Sequence, residues 1–427
     1  MSLLDDPKPV SPPGQTPVLN RTAQVTAGAT LLLIFMGGLV TSHQAGMSVP
    51  DWPNSYGYNM FTFPPSKWVG GIFYEHTHRL MATVVGFCSV LMVLSAYAWG
   101  RTLKVRNALW IAAASTAAIA VLLGIGAVFT PADSSAVQTM KHVLVQSAIG
   151  LIGISLVLAC ATFMRNREPR LWVRRLTLAV LGLVLFQGLL GGLRVVLVKL
   201  DLAIVHACVA QAFFCVAAFT AVATSNWWRN IPAPRQLATT AGHRLIVLGV
   251  TCAIAIYLQL IVGATMRHYQ AGLAIPDLPL NYGKLLPPMD QTSLDRANQM
   301  RTGLELPPTT LGEIWLHFGH RIGAVLVTTL LSLLILRVLR REPDKALRNP
   351  AMILIGLLVA QLTLGILTVL MRKPADIAST HVAVGALTLM TTFVLLVRSM
   401  RLYSPLWRTA PRGFEVSYSP NHTVVPA

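Results

Sequence analysis

Ten runs of about 18 to 25 mostly apolar residues decide what this 427-residue chain can become. They lie at 24–42, 73–98, 107–129, 142–163, 176–196, 204–224, 244–264, 314–337, 350–371 and 380–397. Runs of that length cross the hydrocarbon of a bilayer as helices, which satisfy every backbone N–H and C=O internally. A soluble protein has about a quarter of its residues charged; here the figure is 12%, against 54% hydrophobic. That balance excludes a soluble multidomain enzyme, a disordered chain and a secreted disulfide scaffold. The expected fold class is an all-α integral membrane protein with about ten transmembrane helices.

Lysine and arginine number 34 and aspartate and glutamate 16, a formal net charge of +18. In a soluble chain such an excess suggests nucleic acid. Here the basic residues sit in short clusters between apolar runs, so they read as orientation signals, with no nucleic-acid partner. The N-terminal tail and the segments after every second run hold 22 of them and the alternate connections 10, while Arg79 and Arg321 lie within helices. The bias predicts cytoplasmic termini, with the long loops 43–72 and 265–313 outside. The organisation expected is a disordered tail at 1–23, a helical half at 24–224, a linker at 225–243, a second half at 244–398 and a tail at 399–427. Cys88, Cys160, Cys208, Cys215 and Cys252 all fall in apolar runs and read as small buried hydrophobes.

The chain repeats itself. Gln44-Ala45-Gly46-Met47-Ser48-Val49-Pro50-Asp51-Trp52-Pro53 parallels Gln270-Ala271-Gly272-Leu273-Ala274-Ile275-Pro276-Asp277-Leu278-Pro279. Glu75-His76-Thr77-His78-Arg79 parallels His317-Phe318-Gly319-His320-Arg321, and Gln187 to Gly191 parallels Gln361 to Gly365. The last two are each followed by a helix opening with histidine, His206 or His381. Ordered repeats of this kind predict two pseudo-symmetric four-helix bundles, the first carrying an extra hairpin at 107–163.

Histidines within membrane spans are costly unless they do something. His78, His206, His320 and His381 all fall near outer helix ends, and within each half one can face another across the bundle. Two imidazoles on opposite sides of a flat macrocycle complete a six-coordinate haem iron. His142, in the extra hairpin, competes with His206 for the first pair. Arg79 and Arg321 each follow a histidine and could bind the carboxylates of such a group as cofactor-binding residues. Glu75 shares a helix face with His78, and the equivalent position in the second half is His317. That asymmetry suggests chemistry in one half and electron transfer in the other.

Taken together, the Gly-x-x-x-Pro-Asp-Trp-Pro loop, Glu75-x-x-His78-Arg79, the stretch from Gln187 to His206 and their second-half counterparts resemble the heme A synthase family. The resemblance implies a heme O substrate in the first half, ligated by His78 and His206, and a haem b cofactor in the second, ligated by His320 and His381. It implies stepwise oxidation of a ring methyl to a formyl group, through a hydroxymethyl stage, with Glu75 as the essential carboxylate. It also implies the bacterial inner membrane and, as neighbours, a haem farnesyltransferase and the assembly of cytochrome oxidase. A homo-oligomer is compatible with it, and the electron acceptor is left open. The outer-loop cysteine pairs of some family members are missing from this sequence.

Two other classes compete. A quinone-linked cytochrome b explains four histidines and two arginines, but not the exchange of Glu75 for His317. A secondary transporter explains the repeat, but the helices lack paired Gly/Pro breaks at mid-membrane.

Overall fold

Each apolar run forms a helix, and most of the helices outlast their run. The computed structural model describes residues 16–98, 102–129, 135–231 and 240–404. Most of the expected N-terminal tail, the middle of the expected linker (232–239) and the chain beyond 404 lie outside the described residues. The helices are α1 (Pro17–Ser42), α2 (Gly71–Tyr97), α3 (Leu103–Phe129), α4 (Ser135–Thr162), α5 (Leu171–Leu197) and α6 (Leu200–Thr224), then α7 (Asn226–Asn230), α8 (Thr240–His268), α9 (Gln291–Gly303), α10 (Leu311–Arg341), α11 (Lys345–Leu370) and α12 (Ala375–Tyr403). Ten of them, all but α7 and α9, are long and apolar enough to cross a membrane. The chain is a multi-pass, all-helical membrane protein.

Three boundaries differ from the sequence expectation, each for a physical reason. The expected tail runs to residue 23, yet α1 begins at Pro17, whose fixed φ suits a first helical position. Its polar first turns are held by tertiary contacts: Asn20 donates to the Ala221 carbonyl at 2.7 Å and to Thr224 at 3.0 Å. The expected linker at 225–243 contains α7, capped by Ser225 with Trp228 buried beneath it. In the second long loop, α9 is a polar helix that hydropathy misses. It is fixed by a capping box between Asp290 and Ser293.

Helices α1, α2, α5 and α6 form one bundle, and α8, α10, α11 and α12 the other. They meet along a seam made chiefly by α1 against α12, with α6 against α12 and α8. In lipid, helices associate by close packing and interhelical hydrogen bonds, so small residues gather where backbones approach. Gly38 fits that rule: a Cβ there would lie 3.0 Å from the Ser379 Cβ. Ser42 and Ser379 meet at 3.1 Å, and the Arg267 guanidinium crosses from α8 to bond both serines and the Gly38 carbonyl. The core of the second bundle is built on Leu245, Leu331, Leu347, Leu354 and Leu395, that of the first on Leu19, Val85, Met92, Val173 and Val180. The hairpin α3–α4 packs mainly on itself and reaches the rest through α4 against α2.

At the end opposite the long loops, Glu168 is fully buried. It accepts from Arg170 at 2.6 Å, Arg229 at 2.9 Å and Thr16 at 3.0 Å. Burial alone would raise its pKa, but these donors outweigh it and hold the carboxyl below its ordinary range.

Candidate functional site

The four ligand candidates share one construction. Each imidazole lies over a glycine of the neighbouring helix, so closely that a Cβ there would stand 3.1 to 3.3 Å from the ring Cε1. Gly37 of α1 seats His78, Gly191 of α5 seats His206, Gly263 of α8 seats His320 and Gly365 of α11 seats His381. In three cases a glutamine stands four residues before the glycine, hence on the same helix face. Gln187 donates to the His206 carbonyl at 3.1 Å, Gln259 to the His320 carbonyl at 2.7 Å, and Gln361 meets the His381 ring at 3.4 Å. The sequence comparison finds Gln187 and Gln361 but misses Gln259-x-x-x-Gly263, although the spacing is identical.

These seats pair the histidines within bundles. His78 and His206 lie within reach of each other's charge in the first, and His320 and His381 in the second. All four sit within about three turns of the helix ends that carry the long loops. Each of the four residues is half-buried, while Nδ1 of His78, His206 and His381 is buried with no close hydrogen-bond partner. Among the described residues no cluster of three or more His, Cys, Asp or Glu side chains could hold a metal ion. Two facing histidines per bundle, three of the four with such a ring nitrogen, suit an iron whose other four ligands arrive in a macrocycle, so the residues present fit a haem group.

His142 is built differently. It is exposed on α4 and touches Gln146 at 3.1 Å, and neither Gly124 nor Gly126 of α3 has a neighbour within 4 Å of a built Cβ. Gln146 in turn bonds Asn54 and Asn59 of the first long loop. The bundle partner of His78 is therefore His206, and the hairpin is an outrigger.

The two long loops are near copies. Asp51 accepts from the Tyr56 and Gly57 amides at 2.7 and 2.8 Å, and Asp277 from Tyr282 and Gly283 at 2.8 and 2.9 Å. Tyr56 and Gly57 have φ of 51° and 75°, Tyr282 and Gly283 of 55° and 74°. A left-handed pair suits Asp-anchored turns that end in glycine. This Tyr-Gly match, five residues after each aspartate, extends the repeat beyond the part recognised from sequence.

Arg79 and Arg321 hold these loops through their guanidinium donors. Arg79 donates to the carbonyls of Val49, Asp51 and Asn54 at 2.7 to 3.0 Å and to Glu75 at 2.8 Å, occupying both terminal nitrogens. Arg321 donates to the carbonyls of Ile275, Asp277 and Leu280 at 2.9 to 3.1 Å. Glu75 takes the Val49 amide at 2.9 Å and His317 takes the Ile275 amide at 3.2 Å, so the two unlike residues fill one structural place.

One further residue escaped the sequence reading. Arg194 projects from the loop end of α5, three residues beyond Gly191, and its Nη2 donates to the Gly46 carbonyl at 2.6 Å. Its charge reaches His78, His206 and Glu75. In an apolar span it counts only as a loop charge, and the equivalent in the second half, Thr368, gives no repeat signal.

A model of the COX15-CtaA family, described as cytochrome oxidase assembly protein, matches residues 134–394, or 261 of the 427 positions. The chain belongs to this family. The matched stretch contains His206, His320 and His381, and begins after Glu75 and His78. Among curated relatives, a heme A synthase of Shewanella oneidensis is 25% identical over 374 residues, covering 86% of this chain and 92% of its own length. A heme A synthase of Methylobacterium radiotolerans is 28% identical over 57% of this chain and 65% of its own length. Heme A synthase COX15 of Mus musculus is 26% identical, over 58% and 60% respectively. The Shewanella match covers a larger share of the chain than the family model does.

Proposed function

We propose that this chain is a heme A synthase, an oxidoreductase that converts a ring methyl of heme O to the formyl group of heme A for cytochrome oxidase. The observation that carries the reading is a pair of equivalent histidine seats with unlike neighbours: Glu75 and Arg194 beside the first, His317 and Thr368 beside the second. Equal ligation with unequal surroundings supports a substrate site in the half spanning 24–224 and a cofactor site in the half spanning 244–398. The family and the names of the relatives support the reaction.

In the first half, His78 and His206 would hold heme O, with the loop at 43–70 folded over the bundle end. The Trp52 ring helps to shape that end, lying where a Cβ on Gly192 would come within 2.4 Å of it. In the second half, His320 and His381 would hold haem b, which when bound supplies reversible one-electron redox chemistry. Oxidising a methyl releases protons as well as electrons. Glu75 is the carboxylate placed to take a proton, and its bonds to Arg79 and the Val49 amide fix where its oxygens point. Arg79 and Arg321 serve by keeping the two loops in place. The lysine and arginine distribution supports cytoplasmic termini with both sites toward the outer face, and the bacterial relatives support the inner membrane.

The test is to extract and identify the haem from cells in which this protein, or its Glu75→Gln variant, is the only copy. Wild type should yield heme A. The variant should keep haem binding but accumulate heme O or a partly oxidised form, since loss of a general acid/base group costs roughly 10² to 10⁴ in rate. Protohaem alone in the wild type would favour an electron-transferring cytochrome b. Normal heme A from Glu75→Gln would limit Glu75 to its structural role.

A further inference from the structure

Among the described residues, Arg194 stands near the ligand pair of the first half without a carboxylate of its own. The ion pairs among the described residues are Arg79–Glu75, Arg170–Glu168, Arg229–Glu168 and Arg337–Glu342. Glu75 is the one acidic side chain whose charge reaches Arg194, and it is already taken by Arg79 at 2.8 Å and the Val49 amide at 2.9 Å. The remaining charges within reach belong to Arg79, His78, His206 and His268, and none is negative. A desolvated guanidinium without a counter-charge is expensive. Its one bond, from Nη2 to the Gly46 carbonyl, leaves Nη1 and Nε without a protein acceptor.

The backbone is shaped around this group. A Cβ on Gly46 would come within 1.9 Å of the Arg194 Nη2, so a larger residue there would displace the guanidinium from this place. The second half shows the alternative. There Thr368 bonds back to its own helix at 2.7 Å, and the cation beside Gly272, Lys373, is held by the Gln270 side chain at 2.8 Å. The guanidinium whose charge reaches His381, Arg267, is taken up by Gly38, Ser42, Ala378 and Ser379, so among the described residues only the first half presents a guanidinium with free donors beside its histidines.

We propose that Arg194 is the carboxylate anchor of the first-half site, pairing with an acid group on the rim of the macrocyclic substrate. A guanidinium offers two parallel N–H donors to a carboxylate, and such charge-assisted pairs are about twice as strong as neutral hydrogen bonds. The inference rests on the heme O reading and adds the group that recognises the acidic edge of the ring.

The test uses the purified full-length protein with its second-half haem in place, titrated by absorbance with heme O and with its dimethyl ester. Wild type should bind the diacid at least tenfold more tightly than the ester. Arg194→Leu should lose most of that preference by weakening the diacid alone, and Arg194→Lys should keep part of it as a point charge. Retention of the low-spin spectrum of the second site confirms folding in each variant. If Arg194→Leu fails to fold, the Lys variant decides: an undiminished preference there, together with an undiminished preference in an Arg194→Gln variant, overturns the anchor. A wild type that titrates normally and an Arg194→Leu protein that still discriminates also overturn it. A wild type that binds heme O at neither affinity overturns the functional reading on which the anchor stands.

Discussion

A missing methyl group under each histidine is the smallest feature on which the candidate sites depend. Ala at Gly365 would set a Cβ 3.2 Å from the His381 Cε1, inside ordinary van der Waals distance, and the ring must tilt or the helices part. Overpacking of this kind typically costs about 1–3 kcal/mol, and here the cost falls on the ligand's aim. Gly365→Ala should therefore lose the six-coordinate, low-spin haem signature of the second half. Gly356→Ala, on the same helix with nothing within 4 Å of its Cβ, should keep it. Equal spectra for the two variants would show that the seat does not position the ligand. The same reasoning explains why part of the site was hidden in the sequence. A histidine announces itself by its chemistry, but the glycine beneath it does so only through its spacing from a glutamine. Gln259-x-x-x-Gly263 lacked a recognised partner and passed as ordinary helix. Arg194 was hidden because an arginine at a span's end looks the same whether it faces lipid phosphates or the bundle interior.

At the scale of helices, the spans were legible because ten apolar runs leave a membrane chain few other options. Their ends were less so. The first turns of α1 and the last turns of α12 are polar and persist through contacts far along the chain, such as Asn20 with α6 and Arg398 over the Trp227 ring. Which hairpin completes the first bundle was likewise open until packing settled it, since His78, His142 and His206 recur at equal intervals. With α5–α6 inside the bundle and α3–α4 outside, His206→Ala should abolish heme A formation. His142→Ala should leave it within about twofold, because surface changes away from packed features are usually near neutral. Measuring heme A per cell for the two variants checks this, and a silent His206→Ala would reassign the fourth ligand.

Across the whole molecule, the two ends of the bundles have opposite characters. The loop end holds the histidine seats, while the far end is tied by Glu168, which joins the segment before α1 to α5 and α7 through Thr16, Arg170 and Arg229. Its folded-state pKa is depressed, so the stability it contributes is complete above its ordinary value of 4.5 and is lost as pH falls through the lower folded-state value. Glu168→Gln should lower stability at neutral pH by on the order of 2–3 kcal/mol. That is less than a fully buried pair is worth, because both arginines keep some solvent access. The gap between variant and wild type should narrow well below pH 4.5. Thermal unfolding in detergent across that range measures it, and a gap constant with pH would mean that the carboxylate's charge is not what binds this end together.

The seam between the halves has a consequence for the order of synthesis. Its main partners are α1 and α12, the first and last spanning helices among the described residues, locked where Gly38 meets Ser379 and Arg267 bonds across. Helix α1 thus keeps an uncovered flank until more than three hundred residues have followed it. Its small-residue strip must wait in lipid while every intervening span is threaded. Closure of the seam, and with it the arrival of His381, comes only after the other described spans are in place.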